Sequence, residues 1–218
     1  MILIQATASF KGNEITFRNE LHETYTISLA DAKKTGLYRL VENPEELPEE
    51  ADDEMLAFLS QKLKCLHYAA YLLDFGDKSK RALADKLRKK GYEKDVCEAA
   101  VAVLEKNGLL DDERLCADKL NSLAVGKLYG PRRLKTELLA KGFGSSEIQN
   151  ALDEAAIDYD ALLEQLVLKL TRRGLPQSEK ELSSLKNKLV RYGYSYDRIA
   201  RVLDDLDFPT EFSENEDL

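Results

Sequence analysis

The hydrophobic and polar positions of this chain repeat with a period of 51 residues. The repeated decapeptide has two leucines four residues apart, on one face of a helix, and it ends in a glycine followed by an aromatic residue. It occurs as LADKLRKKGY from Leu83, LKTELLAKGF from Leu134 and LKNKLVRYGY from Leu185. The glycines are Gly91, Gly142 and Gly193. A period of this length predicts tandem structural units.

Each decapeptide is predicted to be a helix with its own C-terminal stop. Glycine suits the left-handed position after a helix, and in a Schellman motif the residue after it packs back on the last turn. An amphipathic helix follows each stop, with Cys97, Ile148 and Ile199 at matching offsets. The pattern predicts a mainly α fold of three tandem three-helix repeats in an elongated curved array, at about 66–104, 115–155 and 160–206.

The first 50 residues have a different pattern. Stretches rich in Ile, Thr, Phe and Tyr before Ser28 predict a small antiparallel β meander, and a short helix capped by Ser28 and ended by Gly36 follows. The acidic, proline-containing segment 41–54 predicts an exposed linker. The predicted organisation is a β-rich segment with its linker (1–50), the helical repeats (51–208) and an acidic tail (209–218).

Capping residues predict where several helices begin. Ser79 and Ser178 are N-cap candidates, and Pro131 suits a first helical position. The adjacent acids Asp111 and Asp112 have two interpretations, a pair of catalytic or metal-binding carboxylates or a helix cap with an acid that complements the helix dipole. Capping is favoured because adjacent side chains at a helix start point in different directions.

The composition excludes several classes of protein. The longest uncharged apolar run, Cys65–Leu73, is far shorter than the roughly 20 residues of a membrane span, and the N-terminus resembles no secretory signal. Three unpaired cysteines predict neither disulfides nor a zinc site. No phosphate-binding or nucleophile motif occurs. We therefore expect a cytoplasmic protein that is not an enzyme, with no catalytic residue, metal or cofactor.

Charge is distributed unevenly along the chain. Residues 1–60 carry 5 Lys or Arg against 12 Asp or Glu, whereas residues 61–208 carry 27 against 24. Basic residues concentrate on the repeated middle helices, and they provide the candidate partner-binding set: Arg81, Lys86, Lys90, Arg132, Arg133, Lys135, Lys141, Lys188 and Arg191. Equivalent helices of a repeat array line one side, so these charges would form a stripe. The alternative is an ordinary solvated surface.

These features resemble the RecX regulators of the bacterial RecA recombinase. The resemblance rests on the three-helix units ending in KG(Y/F)-type stops and on GLLDDERLCA (Gly108–Ala117) between the first and second units, and it covers about Cys65–Asp207. The β-rich segment is similar to the N-terminal extension of some Gram-positive members. One departure is Ala82, where members often have a glutamate three residues after the capping serine.

The resemblance implies a monomeric regulator that binds the RecA–DNA filament and inhibits its ATPase and strand exchange, with DNA contacted within the filament and no membrane involved. Two other classes stay open. A three-helix unit can present a helix to the major groove, which gives a nucleic-acid-binding protein that acts without RecA. A passive scaffold is the third possibility. DNA affinity that falls steeply with salt in the absence of RecA would favour the former.

Overall fold

The structure is a computed structural model that describes residues 1–9, 11 and 13–208. The chain divides into two compact units, Met1–Leu110 and Asp111–Leu218. This division falls between the first and second repeats, whereas the composition of the sequence changes near residue 50. The predicted acidic tail, 209–218, lies outside the described residues.

The first unit begins with the predicted antiparallel sheet. Its strands lie in the order β3-β2-β1-β4, with bounds β1 Ile2–Ala8, β2 Glu14–Asn19, β3 Thr24–Ser28 and β4 Glu49–Glu50. In the β2–β3 register, Ile15 lies opposite Ile27 and Phe17 opposite Tyr25. Alternate side chains point to one face, and Leu3, Ile15, Phe17 and Ile27 are all fully buried there. The predicted meander is confirmed, with one further strand.

Short helices connect β3 to β4. The helix α1, Leu29–Lys34, begins at Ser28, whose hydroxyl accepts from the Asp31 amide, and Gly36 follows it at φ +77°. The helix α2 spans Arg39–Glu42, and a 3₁₀ turn spans Pro44–Glu46. The segment predicted to be an exposed linker is therefore folded, because Glu49 and Glu50 pair with the first strand in spite of their charge. The backbone of an edge strand can pair while its side chains stay in solvent.

The long helix α3, Asp53–Asp74, belongs to two hydrophobic cores. Its first half contributes Leu56 and Leu59 to the core beneath the sheet. Its second half contributes Cys65 and Ala69 to the core of the first three-helix repeat, which α4 (Lys80–Lys90) and α5 (Lys94–Lys106) complete. The first helix of the first repeat therefore begins at Asp53, before residue 66, and its additional turns cover the sheet.

The second unit contains the second and third repeats. Their helices are α6 Asp112–Lys127, α7 Pro131–Ala140, α8 Ser145–Glu154, α9 Tyr159–Leu170, α10 Glu179–Arg191 and α11 Tyr196–Asp205. One continuous core joins the two repeats and includes Leu120, Leu138, Leu166 and Leu189. The mainly helical fold with a small N-terminal sheet is confirmed, and the curvature of the array stays a prediction.

All three predicted helix stops are confirmed as Schellman motifs. The amides of Tyr92, Phe143 and Tyr194 donate to the carbonyls of Leu87, Leu138 and Leu189 at 3.3, 3.3 and 3.4 Å. The preceding glycines have φ of +105°, +89° and +100°, in the left-handed region. These bonds satisfy carbonyls that a helix end leaves without partners. The aligned positions Cys97, Ile148 and Ile199 are all buried.

The predicted helix starts are confirmed as well. The side chains of Ser79, Asp111 and Ser178 accept hydrogen bonds from the amides of Ala82, Arg114 and Glu181 at 3.2, 3.0 and 3.3 Å. Pro131 is the first residue of α7. Each cap satisfies an amide in the first turn of its helix.

Candidate functional site

The nine basic residues of the candidate set are all exposed. They lie on the middle helix of each repeat, except Lys141, which directly follows α7. Three of them, Arg81, Lys86 and Lys90, belong to the first unit, and the other six belong to the second. The structure therefore gives two groups of cations, one in each unit.

In the first unit, buried leucines orient α4. Leu83 and Leu87 are fully buried, so the other sides of this helix face solvent. Lys86 and Lys90 are one turn apart on the same side, and Arg81 projects from a different side. The Lys90 ammonium lies 5.4 Å from the centre of the Tyr68 ring on α3, which is a cation–π distance.

In the second unit, Arg133 is already engaged by neighbouring side chains. Its Nε donates to Glu137 Oε1 at 2.9 Å, and its guanidinium lies 5.2 Å from the centre of the Tyr129 ring. The i,i+4 pair with Glu137 compensates part of its charge. Arg132 and Lys135, on the same helix, contribute the exposed positive charge there.

The backbone brings α7 and α10 together. The Gly130 amide donates to the Tyr192 carbonyl at 2.8 Å, and the Arg132 amide donates to the Gly193 carbonyl at 3.2 Å. The beginning of α7 therefore lies against the end of α10, near Arg191. This contact places basic residues of the second and third repeats on adjoining segments.

The buried side chain of Tyr194 makes a hydrogen bond at this junction. Its hydroxyl donates to the Leu128 carbonyl at 3.2 Å, and burial raises the pKa of the phenol above its usual value. Tyr194 therefore keeps its proton and its hydrogen bond at any physiological pH. The junction between the second and third repeats is a packed backbone contact with a buried polar bond.

The carboxylates and thiols that were candidates for catalysis or metal binding are capping groups or buried groups. Asp111 caps α6 and Asp112 is buried. Within residues 1–9, 11 and 13–208, no three His, Cys, Asp or Glu side chains form a group able to hold a metal ion.

Burial raises the pKa of Cys65 to about 12 and that of Cys116 to about 11, so both thiols are protonated near neutral pH. Among the described helices, none is long and apolar enough to cross a membrane.

Sequence reasoning missed a group of aromatic side chains on α3. Tyr71 and Phe75 are 54% and 72% exposed, and their ring centres lie 4.9 Å apart. Tyr68 is next to them, with its ring centre 6.0 Å from that of Tyr71. The signal in the sequence was their spacing, since positions 68, 71 and 75 share one helix face. The apolar neighbours in CLHYAAYLL masked it.

Comparisons with known proteins agree with the repeat architecture. Residues 65–104 match a family model described as RecX, first three-helix domain. A regulatory protein RecX of Haemophilus ducreyi is 31% identical over 143 residues, which are 66% of this chain and 93% of that protein. One of Vibrio vulnificus is 29% identical over 148 residues, 68% of this chain and 96% of that protein. This chain covers only 58% of a Streptococcus pyogenes serotype M5 relative, at 30% identity.

Two crystal structures have a similar fold. A structure of regulatory protein RecX has a TM-score of 0.73 at 19% identity and covers 94% of this chain and 100% of its own. A structure of RecX from Lactobacillus salivarius has a TM-score of 0.60 at 23% identity and covers 67% of this chain and 97% of its own. At these identities the likeness establishes the fold alone.

Proposed function

Because this chain belongs to the RecX family of regulatory proteins, we propose that it binds the RecA–DNA filament and inhibits the ATPase and recombinase activity of RecA. The observation that supports this most directly is the exposure of all nine basic side chains on or next to equivalent helices. A protein–DNA filament presents phosphates and acidic side chains, to which such cations are complementary.

Binding would be the sum of several weak contacts. An exposed ion pair contributes about 0.2–1 kcal/mol, so no single lysine or arginine decides the affinity. Cations on two units allow the chain to contact the filament at several points. To inhibit RecA, the protein has to bind a less active filament state more tightly than the active one, because a ligand shifts an equilibrium only by its differential affinity.

The direct test measures the ATPase of RecA on single-stranded DNA with and without the protein. We expect inhibition that saturates with concentration and weakens as salt rises. An unchanged ATPase at saturating protein would contradict the proposal. If the protein then bound DNA by itself with a steep salt dependence, the alternative of a nucleic-acid-binding protein acting without RecA would be favoured.

Charge reversal tests the surface. In the variant Arg132→Glu with Lys135→Glu, both changes are exposed and neither disturbs the Arg133–Glu137 pair. Lys169→Glu with Arg172→Glu is a matched control, since both positions are exposed in the same unit and the net charge changes equally. We expect the first variant to bind the filament several-fold more weakly than the control. Equal binding by the two variants would place the contact elsewhere.

A further inference from the structure

A half-buried tyrosine and two exposed aromatic side chains form a continuous row at the C-terminal end of α3. We name the rings of Tyr68, Tyr71 and Phe75 the aromatic ladder. Tyr68 and Tyr71 are nearly parallel, with an interplanar angle of 21°, and Phe75 meets Tyr71 edge-on at 70°. The ladder follows one side of α3 for two helical turns, which is about 10 Å. Large exposed apolar groups that lie together indicate an interaction site.

Lysines lie beside the Tyr68 end of the ladder. Lys90 lies over the Tyr68 ring at 5.4 Å, and Lys86 is one turn before Lys90 on the same side of α4. Lys64 is exposed one turn before Tyr68, on the face of α3 that bears the ladder. Positive charge therefore lies at the Tyr68 end of the ladder, next to the exposed ring of Tyr71.

Carboxylates bound this positive region at both ends. Asp74 and Asp77 are exposed near Phe75. Tyr92 lies next to Tyr68, with ring centres 6.3 Å apart, and beyond it Glu93 and Asp95 line a cavity of about 680 Å³. A polyanion that followed the ladder would thus be repelled at either end. The ladder between these carboxylates is about 10 Å long, which corresponds to about three nucleotides at 3.4 Å per base.

We propose that the aromatic ladder binds single-stranded DNA, with two or three bases stacked on its rings and their phosphates beside Lys86 and Lys90. Aromatic side chains with neighbouring cations provide such a platform, because every base has a π face and every nucleotide a charge. Paired bases in a duplex are not available for this stacking. The choice of DNA over RNA rests on the proposed function, whereas the stacking contact does not.

The test compares two oligonucleotides of equal length, an oligothymidine and a strand of abasic sites, in binding to the full chain without RecA at low salt. Both carry the same phosphates, so a difference in affinity reports contacts to bases. We expect the wild type to bind the oligothymidine about tenfold more tightly or better. The variant Tyr71→Ala with Phe75→Ala should lose this preference and keep its affinity for the abasic strand.

Two further variants control for lost apolar volume and for the removal of a tyrosine outside the ladder. Tyr71→Leu with Phe75→Leu retains apolar volume without the rings, so it should lose the base preference with an unchanged circular dichroism spectrum. Tyr196→Ala removes a tyrosine that is 59% exposed on α11, outside the ladder, and should behave as wild type. Equal affinity of the wild type for both strands would overturn the inference, as would a full preference in the leucine variant.

A different result would identify a protein partner. If the leucine variant bound both oligonucleotides as the wild type does but bound DNA-free RecA more weakly, the ladder would be a protein-docking face and the inference would be wrong. The proposed function is tested separately by the RecA ATPase. If the wild type inhibits RecA but shows no base preference, only the inference about the aromatic ladder fails. If it shows the base preference but leaves the RecA ATPase unchanged, only the proposed function fails.

Discussion

Gly91 and Gly193 end equivalent helices with equivalent hydrogen bonds, and yet their surroundings are different. A Cβ added at Gly91 would have no atom within 4 Å. A Cβ added at Gly193 would overlap the backbone nitrogen of Arg133 and lie 2.8 Å from the Gly130 carbonyl oxygen. The first glycine is required only by its left-handed φ, whereas the second also allows two backbones to meet. The repeated glycine thus ends a helix in both copies, and in the third repeat it also permits the backbone contact between α7 and α10.

The buried thiols allow this difference to be measured separately in each unit. Cys65 and Cys97 are buried in the first unit and Cys116 in the second. Because burial raises the pKa of Cys65 and of Cys116, alkylation near pH 8 has to await local opening. Mass spectrometry of the labelled peptides then gives the stability of each unit, where a single unfolding curve would mix the two.

The largest effect is expected for Gly193→Ala. The change adds the cost of a left-handed alanine, about 1–2 kcal/mol, to that of an overlap between packed backbones, about 1–3 kcal/mol. The second unit should lose about 2–5 kcal/mol of stability, measured as faster Cys116 alkylation and a lower urea midpoint. Wild-type behaviour would show that α7 and α10 are not in backbone contact.

A smaller loss is expected for Gly130→Ala. Its φ of −78° suits alanine, so only the contact is affected. The new Cβ would lie 2.7 Å from the Gly193 carbonyl carbon, and the overlap should cost about 1–3 kcal/mol by the same labelling experiment. A loss equal to that in Gly193→Ala would mean that the left-handed conformation contributes nothing at Gly193.

Gly91→Ala isolates the conformational part. With open space around the new Cβ, only the φ of +105° opposes it, and the expected cost is about 1–2 kcal/mol. The readout is the alkylation rate of Cys65 and Cys97, with Cys116 as the internal reference. A cost greater than that of Gly193→Ala would reverse the comparison.

The smallest effect is expected for the tyrosines that follow these glycines. Tyr194→Phe removes a buried hydrogen bond to the Leu128 carbonyl and should cost about 0.5–1.5 kcal/mol. Tyr92→Phe removes a bond of the same length, 3.2 Å, to the Lys64 carbonyl, but water can replace that bond because Tyr92 is only half-buried. The readouts are the alkylation rate of Cys116 for Tyr194→Phe and that of Cys65 for Tyr92→Phe. Equal changes in the two rates would show that burial at Tyr194 has no energetic consequence.

The sequence predicted what depends on neighbouring residues. The three Schellman stops and the caps at Ser79, Asp111 and Ser178 need only a few consecutive residues, so their pattern is visible in one chain. The Gly130–Gly193 contact joins residues far apart in sequence and leaves no such pattern. The strand Glu49–Glu50 was missed because its composition is that of a loop, and its pairing depends on the first strand.

The candidate site shows the same limit. Exposure of the nine basic residues was predictable from the apolar stripe of each helix, and the Arg133–Glu137 pair has a readable i,i+4 spacing. The adjacency of α7 and α10 was not predictable, because it follows from the long-range backbone contact. Whether the nine residues bind the filament stays a prediction, which the charge reversals test.

The helix α3 has a consequence for how proteins of this kind gain or lose segments. Its leucines Leu56 and Leu59 are buried in the core beneath the sheet, while the second half of the same helix packs in the first repeat. A chain cut before Asp53 would present these leucines to water and become prone to aggregation. The sheet therefore protects the first half of α3 from water, and a version of this chain without the sheet would need polar residues in place of Leu56 and Leu59.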